Sequence, residues 1–148
     1  MSLFKRPESV LVVISTQHGE VLQMRRHDPA DFWQSVSSPL QENETLADAA
    51  RRAVREETGL LPDHGLTDTG VVNTYPMQVA WLARIAGAAR ENTEHVFSLQ
   101  LPAIDAVRID LERHAEYRWL SREEALKLAG SPSDRDAIAK LVAAKNAT

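Results

Sequence analysis

The sequence predicts an α/β domain built on a mixed β-sheet, and three observations carry that prediction. Short β-branched or apolar runs recur along the chain, from Val10 to Leu120. A helix opening at Thr45 has both a start and a stop signal. Two further helical segments close the chain, so strands are interrupted by only a few helices.

Val10 to Ser15 is an apolar, β-branched run between Pro7 and Gln17-His18-Gly19, which reads as a strand and a turn. Val21 to Arg25 returns beside it as a hairpin. After the break at His27-Asp28-Pro29, Phe32 to Val36 forms a short extended segment. Thr45 and Asp48 stand at capping-box spacing, and Leu46, Ala49, Ala50, Ala53 and Val54 give one apolar helical stripe. Gly59 can take the left-handed conformation that ends a helix, and Pro62 prevents its resumption.

Downstream, Thr69 to Thr74, Val79 to Ile85 and His95 to Leu101 read as strands, with Ala88 to Thr93 as a connecting loop. Tyr117 to Leu120 is a short strand. Ser121 to Glu124 is a capping box opening a helix through Leu128. Ser133 to Ala144 completes the set as an amphipathic helix with Ala137, Ile138, Leu141 and Val142 inward.

A chain of 148 residues fits one domain, 1–148, with a sizeable core. Hydrophobic residues at 43% and charged residues at 26% are ordinary globular usage, which excludes a disordered chain. A net charge of −4 argues against broad nucleic-acid binding, because no overall positive field favours phosphate backbones. The chain contains no cysteine, so disulfides, zinc–thiolate sites and thiol catalysis are excluded, and a cytoplasmic location is expected. No apolar run approaches the ~20 residues needed to span a bilayer.

Between Ser38 and Leu60 the chain carries Glu44, Arg52, Val54, Glu56, Glu57, Gly59 and Leu60 in the register of G-x5-E-x7-R-E-U-x-E-E-x-G-U, with U aliphatic. On this motif the sequence resembles the Nudix hydrolases. That likeness implies a Nudix-type α/β/α sandwich and metal-assisted cleavage of a diphosphate. Two positions depart from the pattern: Ser38 stands at the first Gly and Ala53 at the first Glu of the R-E-U triplet. The Cβ of Ser38 disfavours positive φ, so the loop is expected to take another path, whereas Asn43 tolerates the left-handed region.

Residues three and four apart share a helix face, so position 53 lies one turn before Glu56 and Glu57. In the family all three positions are Glu and converge on a divalent cation. Hard Mg²⁺ prefers such oxygens, keeps several waters and takes phosphates into its shell. Here the resemblance implies metal (Mg²⁺ or Mn²⁺) on Glu56 and Glu57, with Glu44 and Arg52 completing the catalytic set. Arg52 also has the spacing for a charge pair with Glu56, which by itself would be an exposed pair of small value.

Outside the motif the resemblance reaches the bacterial dihydroneopterin triphosphate pyrophosphatase group. It runs through Lys5-Arg6-Pro7, Arg25-Arg26, Asp31 to Val36, Asn92-Thr93-Glu94, Tyr117 to Leu120 and Ser133 to Ile138. It implies a small-molecule triphosphate as substrate, a pterin or deoxynucleoside triphosphate, contacted at Lys5, Arg25, Ser37 and Ser133. Arg25 and Lys5 are read equally as phosphate donors or as surface charges. Trp33 reads as a core residue before it reads as a platform for a flat heterocycle.

In that group a further carboxylate joins the metal site from a run resembling Glu-His-x-Glu-Tyr-Arg-Trp. Here Arg113 falls where that Glu is expected, with Glu112 one residue away. His114 reads as a locally packed ring rather than a ligand. Two functions follow: a hydrolase in which Glu44, Glu112 or Glu116 makes up for the missing carboxylates, or a degenerate domain that binds a nucleotide-like ligand with little hydrolysis.

Overall fold

In the computed structural model, which describes residues 7–76 and 91–143, the two faces of β1 (Glu8–Thr16) divide the core in two. Val10, Val12 and Ile14 belong to one apolar cluster, Leu11 and Val13 to the other. That alternation is the period of a strand buried on both sides.

Among the described residues seven strands form one sheet: β1, β2 (Val21–Arg26), β3 (Trp33–Gln34), β4 (Val36–Pro39), β5 (Leu66–Pro76), β6 (Glu91–Leu101) and β7 (His114–Leu120). β1 runs parallel to β6 from Glu8–Thr93 to Thr16–Leu101, and the remaining pairs are antiparallel, so the sheet is mixed as expected. The other edge of β1 is shared. β4 pairs with its first half, Ser9 to Val12, while β2 meets it at Ser15 and carries β3 and β7.

Helix α1 (Leu46–Thr58) lies on one face of the sheet, and its Ala49, Ala50, Ala53 and Val54 are buried with Val10, Val36, Leu40 and Phe97. Helices α2 (Arg122–Leu128) and α3 (Pro132–Leu141) cover the other face through Ala125, Ala137 and Ile138. The result is an α/β/α sandwich. Fully burying a side chain such as Val54 or Leu40 stabilises it by about 1.5–3 kcal/mol. Among the described residues no helix is long and apolar enough to cross a membrane.

The helix signals at Thr45, Gly59 and Ser121 form the expected caps. Thr45 accepts from the Asp48 N–H at 3.1 Å, and Gly59 ends α1 with φ of 74° while its N–H reaches the Arg55 carbonyl. Ser121 and Glu124 form the reciprocal capping box. The last helix differs: it begins at Pro132 and stops at Leu141 rather than reaching Ala144. Arg122 is the physical reason for the early stop, since its guanidinium donates to the Val142 and Ala139 carbonyls and satisfies the helix end.

Three strand expectations are corrected. Phe32 to Val36 is not one segment, because the Ser35 N–H donates to the buried Asp134 carboxylate and separates β3 from β4. Glu91 to Thr93 is strand rather than loop, held by Thr93 opposite Glu8 and Glu91 opposite Pro76. The strand expected from Thr69 begins at Leu66, with a register shift between Asp68 and Val72 where Gly70 has φ of 79°. The strand expected at Val79 to Ile85 lies outside the described residues.

At Gly59 an added Cβ would sit 3.3 Å from the Arg108 Cβ, on a backbone that L-residues rarely adopt. Gly59→Ala is expected to lower unfolding free energy by about 1 kcal/mol, measured by urea denaturation.

Candidate active site

The segment before α1 is cinched by one side chain. Arg52 Nε donates to Glu44 Oε2 at 2.7 Å and Arg52 Nη2 to Glu44 Oε1 at 2.9 Å, a two-point fork. The same guanidinium reaches the Pro39 carbonyl at 3.0 Å and Ser38 Oγ at 3.3 Å, while Glu44 also accepts from the Gln41 N–H at 2.9 Å. Both side chains of the pair are largely buried, and the Glu44 contact raises the Arg52 pKa further. Ser38 sits in β4 opposite Val10, and Asn43 takes the positive φ (66°) that it tolerates.

Glu56 and Glu57, adjacent in sequence, have different environments because they lie about 100° apart around α1. Glu56 is exposed and touches Arg52 Nη1 at 3.4 Å. Glu57 is 1% exposed. Its Oε1 accepts from the Ser37 N–H at 3.5 Å, and its Oε2 faces Arg113 Nη1 at 3.4 Å. Burial pushes the Glu57 carboxyl up to about 7, even though Arg113 and the Ser37 N–H hold it down. Ala53, wholly buried among the apolar residues, offers no oxygen.

Arg113 is delivered to Glu57 by the segment that covers the end of α1. Val107 and Ile109 pack against the core, and the Arg108 N–H donates to the Thr58 carbonyl at 2.8 Å. The following turn is fixed by Arg113 and His114 N–H groups on the Asp110 carbonyl and by His27 Nε2 on the Leu111 carbonyl at 2.8 Å. The carboxylates expected to replace the missing ones go elsewhere. Glu44 is on Arg52, Glu116 is on Arg25 and Arg118, and Glu112 is exposed on the turn. Among the described residues no three His, Asp or Glu side chains form a metal-holding group.

Two carboxylates do fit a hard divalent ion in a reduced form. Mg²⁺ commonly uses only one or two carboxylates, keeps several waters and completes its shell with substrate phosphates. Glu56 and Glu57 are the residues that would hold it here.

The remaining expected contacts are dispersed. Lys5 lies outside the described residues. Arg25 is paired with Glu116 at 3.1 Å and Asp31 at 3.7 Å. Ser37 meets Glu57 through its backbone. Ser133 sits at a second polar site around Glu94, where Asn73 Nδ2 donates to Glu94 Oε1 at 3.3 Å and Ser131 Oγ lies 2.9 Å from Ser133 Oγ. Burial raises the Glu94 carboxyl, with Ser133 and Asn73 opposing. Strand register places the Glu94 and Pro39 backbones on either side of Ser9, two strand spacings or roughly 10 Å apart. Trp33 is a core residue, with the Arg118 guanidinium 5.1 Å from its ring.

Sequence reasoning did not single out the buried Asp134, which accepts from the Ser35 N–H at 2.8 Å and Ser35 Oγ at 2.7 Å. Its signal was only its place beside Ser133. Nor could spacing show that Arg113 meets Glu57. His114, expected to pack locally, is buried and its Nε2 accepts from the Gln34 amide at 3.2 Å.

The chain belongs to the NUDIX domain family, whose model matches residues 5–141. It is 37% identical over 144 residues to dihydroneopterin triphosphate diphosphatase of Escherichia coli K12, covering 95% of each chain. The enzyme of that name from Haemophilus influenzae is 28% identical, over 95% of this chain and 90% of its own. The solved E. coli dihydroneopterin triphosphate pyrophosphohydrolase superposes with a TM-score of 0.84 at 35% identity, covering 95% of this chain and 98% of the other. Nudix hydrolases generally use a divalent metal.

Removing the cinch is expected to be costly. Arg52→Ala removes the fork from a mostly buried Glu44 carboxylate and should cost about 2 kcal/mol in urea denaturation, with Arg52→Lys recovering only part because an ammonium lacks the fork. His114 gives a pH signature. Burial, with the Arg113 charge, lowers its pKa from the ordinary 6.5 to about 4. Between those values the unfolded chain binds the extra proton, so this group's contribution to stability is full above about 6.5 and is lost as pH falls toward about 4. His114→Leu should flatten that segment of the stability–pH curve, followed by denaturant melts at a series of pH values.

Proposed function

We propose that the chain is a Nudix pyrophosphohydrolase that takes a pterin or nucleoside triphosphate, dihydroneopterin triphosphate first among them, and releases pyrophosphate. The observation that carries this reading is the buried, high-pKa Glu57 on a helix whose approach loop is locked by the Arg52–Glu44 fork. Identity to the diphosphatase relatives over nearly the whole chain supports the substrate class.

In this reading, Glu56 and Glu57 would hold Mg²⁺ or Mn²⁺, which would neutralise phosphate charge when bound. The chain's own groups do the rest. Arg52 and Glu44 hold the loop and leave Glu56 facing solvent at the substrate side. Of the two carboxylates, the buried Glu57 is the proposed acceptor of a proton from the attacking water. Water oxygen bonds to phosphorus, the anhydride oxygen leaves, and the products are the monophosphate and pyrophosphate. Arg25, Ser37, Ser133 and Lys5 are the proposed substrate contacts. A cytoplasmic location belongs to the same proposal and is supported by the absence of cysteine.

The direct test is pyrophosphate release from dihydroneopterin triphosphate and from deoxynucleoside triphosphates in Mg²⁺ or Mn²⁺. Glu57→Gln should reduce kcat by at least about 100-fold with the fold intact by circular dichroism. Turnover of the variant equal to that of the native chain would overturn the assignment of Glu57, and no turnover of either triphosphate class would overturn the function.

A further inference from the structure

We propose that Arg113 is a built-in cation that occupies Glu57 when the site is free of substrate, so that a divalent ion enters together with the triphosphate, whose phosphates draw the guanidinium off the carboxylate. The inference rests on the hydrolase reading given above.

Of the arginine–glutamate pairs at the site, Arg52–Glu44 and Arg113–Glu57 differ in kind. Arg52 grips Glu44 through two contacts of 2.7 and 2.9 Å, with side chains only 14% and 12% exposed. Those are the lengths of strong charge-assisted bonds, and the pair is part of the frame. Arg113 meets Glu57 through one nitrogen at 3.4 Å, and its side chain is 38% exposed while that of Glu57 is 2% exposed. A single long contact from a half-exposed cation is easily broken. Its other N–H donors have no carboxylate partner among the described residues and suit phosphate oxygens in the same fork geometry.

The backbone of Arg113 is held on both sides, by its N–H on the Asp110 carbonyl at 3.0 Å and by its carbonyl accepting from the His27 N–H at 3.3 Å. The long side chain is therefore the part that moves. A divalent ion and a guanidinium repel, so each weakens the other's hold on the one Glu57 carboxylate. With Ala53 contributing no charge, Glu56 alone competes poorly for the ion. A triphosphate reverses the balance by giving Arg113 a new anion and the ion its remaining oxygens.

The test follows Mn²⁺ binding by electron paramagnetic resonance at pH 8, which keeps Glu57 largely ionised, with and without a nonhydrolysable deoxynucleoside triphosphate. Without the triphosphate, Arg113→Gln should bind Mn²⁺ at least tenfold more tightly than the native chain, while Arg113→Lys, which keeps the charge, should not. With the triphosphate present that advantage should disappear, and Arg113→Gln should bind the analogue at least fivefold more weakly. Equal Mn²⁺ affinity of native and Arg113→Gln proteins without the triphosphate overturns the inference, whatever their turnover. Absence of pyrophosphate release from both overturns the function instead and leaves the triphosphate-free Mn²⁺ comparison to decide Arg113. Circular dichroism melts exclude unfolding of the variants.

Discussion

The fork between Arg52 and Glu44 is the constraint on which the site depends. It ties α1 to the end of β4 through the Pro39 carbonyl and Ser38 Oγ, and so fixes where the helix begins relative to the sheet. A mostly buried pair of this kind brings no large net stability, because desolvation offsets the attraction. What it contributes is geometry. Given that anchor and the burial of Ala49, Ala50, Ala53 and Val54, the rotation of α1 is set, and Glu57 must point inward while Glu56 points to water.

Charge then follows from packing. The Glu57 carboxylate loses water by being carried under the segment that caps the helix, and its pKa rises to about 7 for that reason first. Arg113 and the Ser37 N–H only partly compensate. On the other side of the sheet Asp134 is held between Ser35 and Gln23, and Glu94 between Asn73 and Ser133, both with carboxyls raised by burial. A sheet forked at β1 thus buries carboxylates on both faces, each met by polar partners rather than by a clustered acid group.

Much of this architecture was legible along the chain. The α1 signals at Thr45 and Gly59, the capping box at Ser121 and Glu124, and the apolar runs of β1 and β6 act through neighbours a few residues away. Errors fell where a distant group intervened. Ser35 bends the expected strand because Asp134, 99 residues on, takes its N–H. The last helix stops early because Arg122 caps its carbonyls. Trp33 and His114 were read as packed residues, and both are buried.

By itself the sequence determined the family, the mixed α/β sheet and the presence of Glu56 and Glu57 on one helix with no carboxylate at position 53. Those are statements about spacing, and helix and strand periods are local. The tertiary structure alone decided that Arg52 serves Glu44 before Glu56, that Glu57 is buried, and that Arg113, 56 residues away in sequence, stands against it. The reason is physical: the partner of a buried charge is chosen by which segments pack over the end of α1. Here Val107, Arg108 and Ile109 make that choice through core contacts and one hydrogen bond, which no local pattern records.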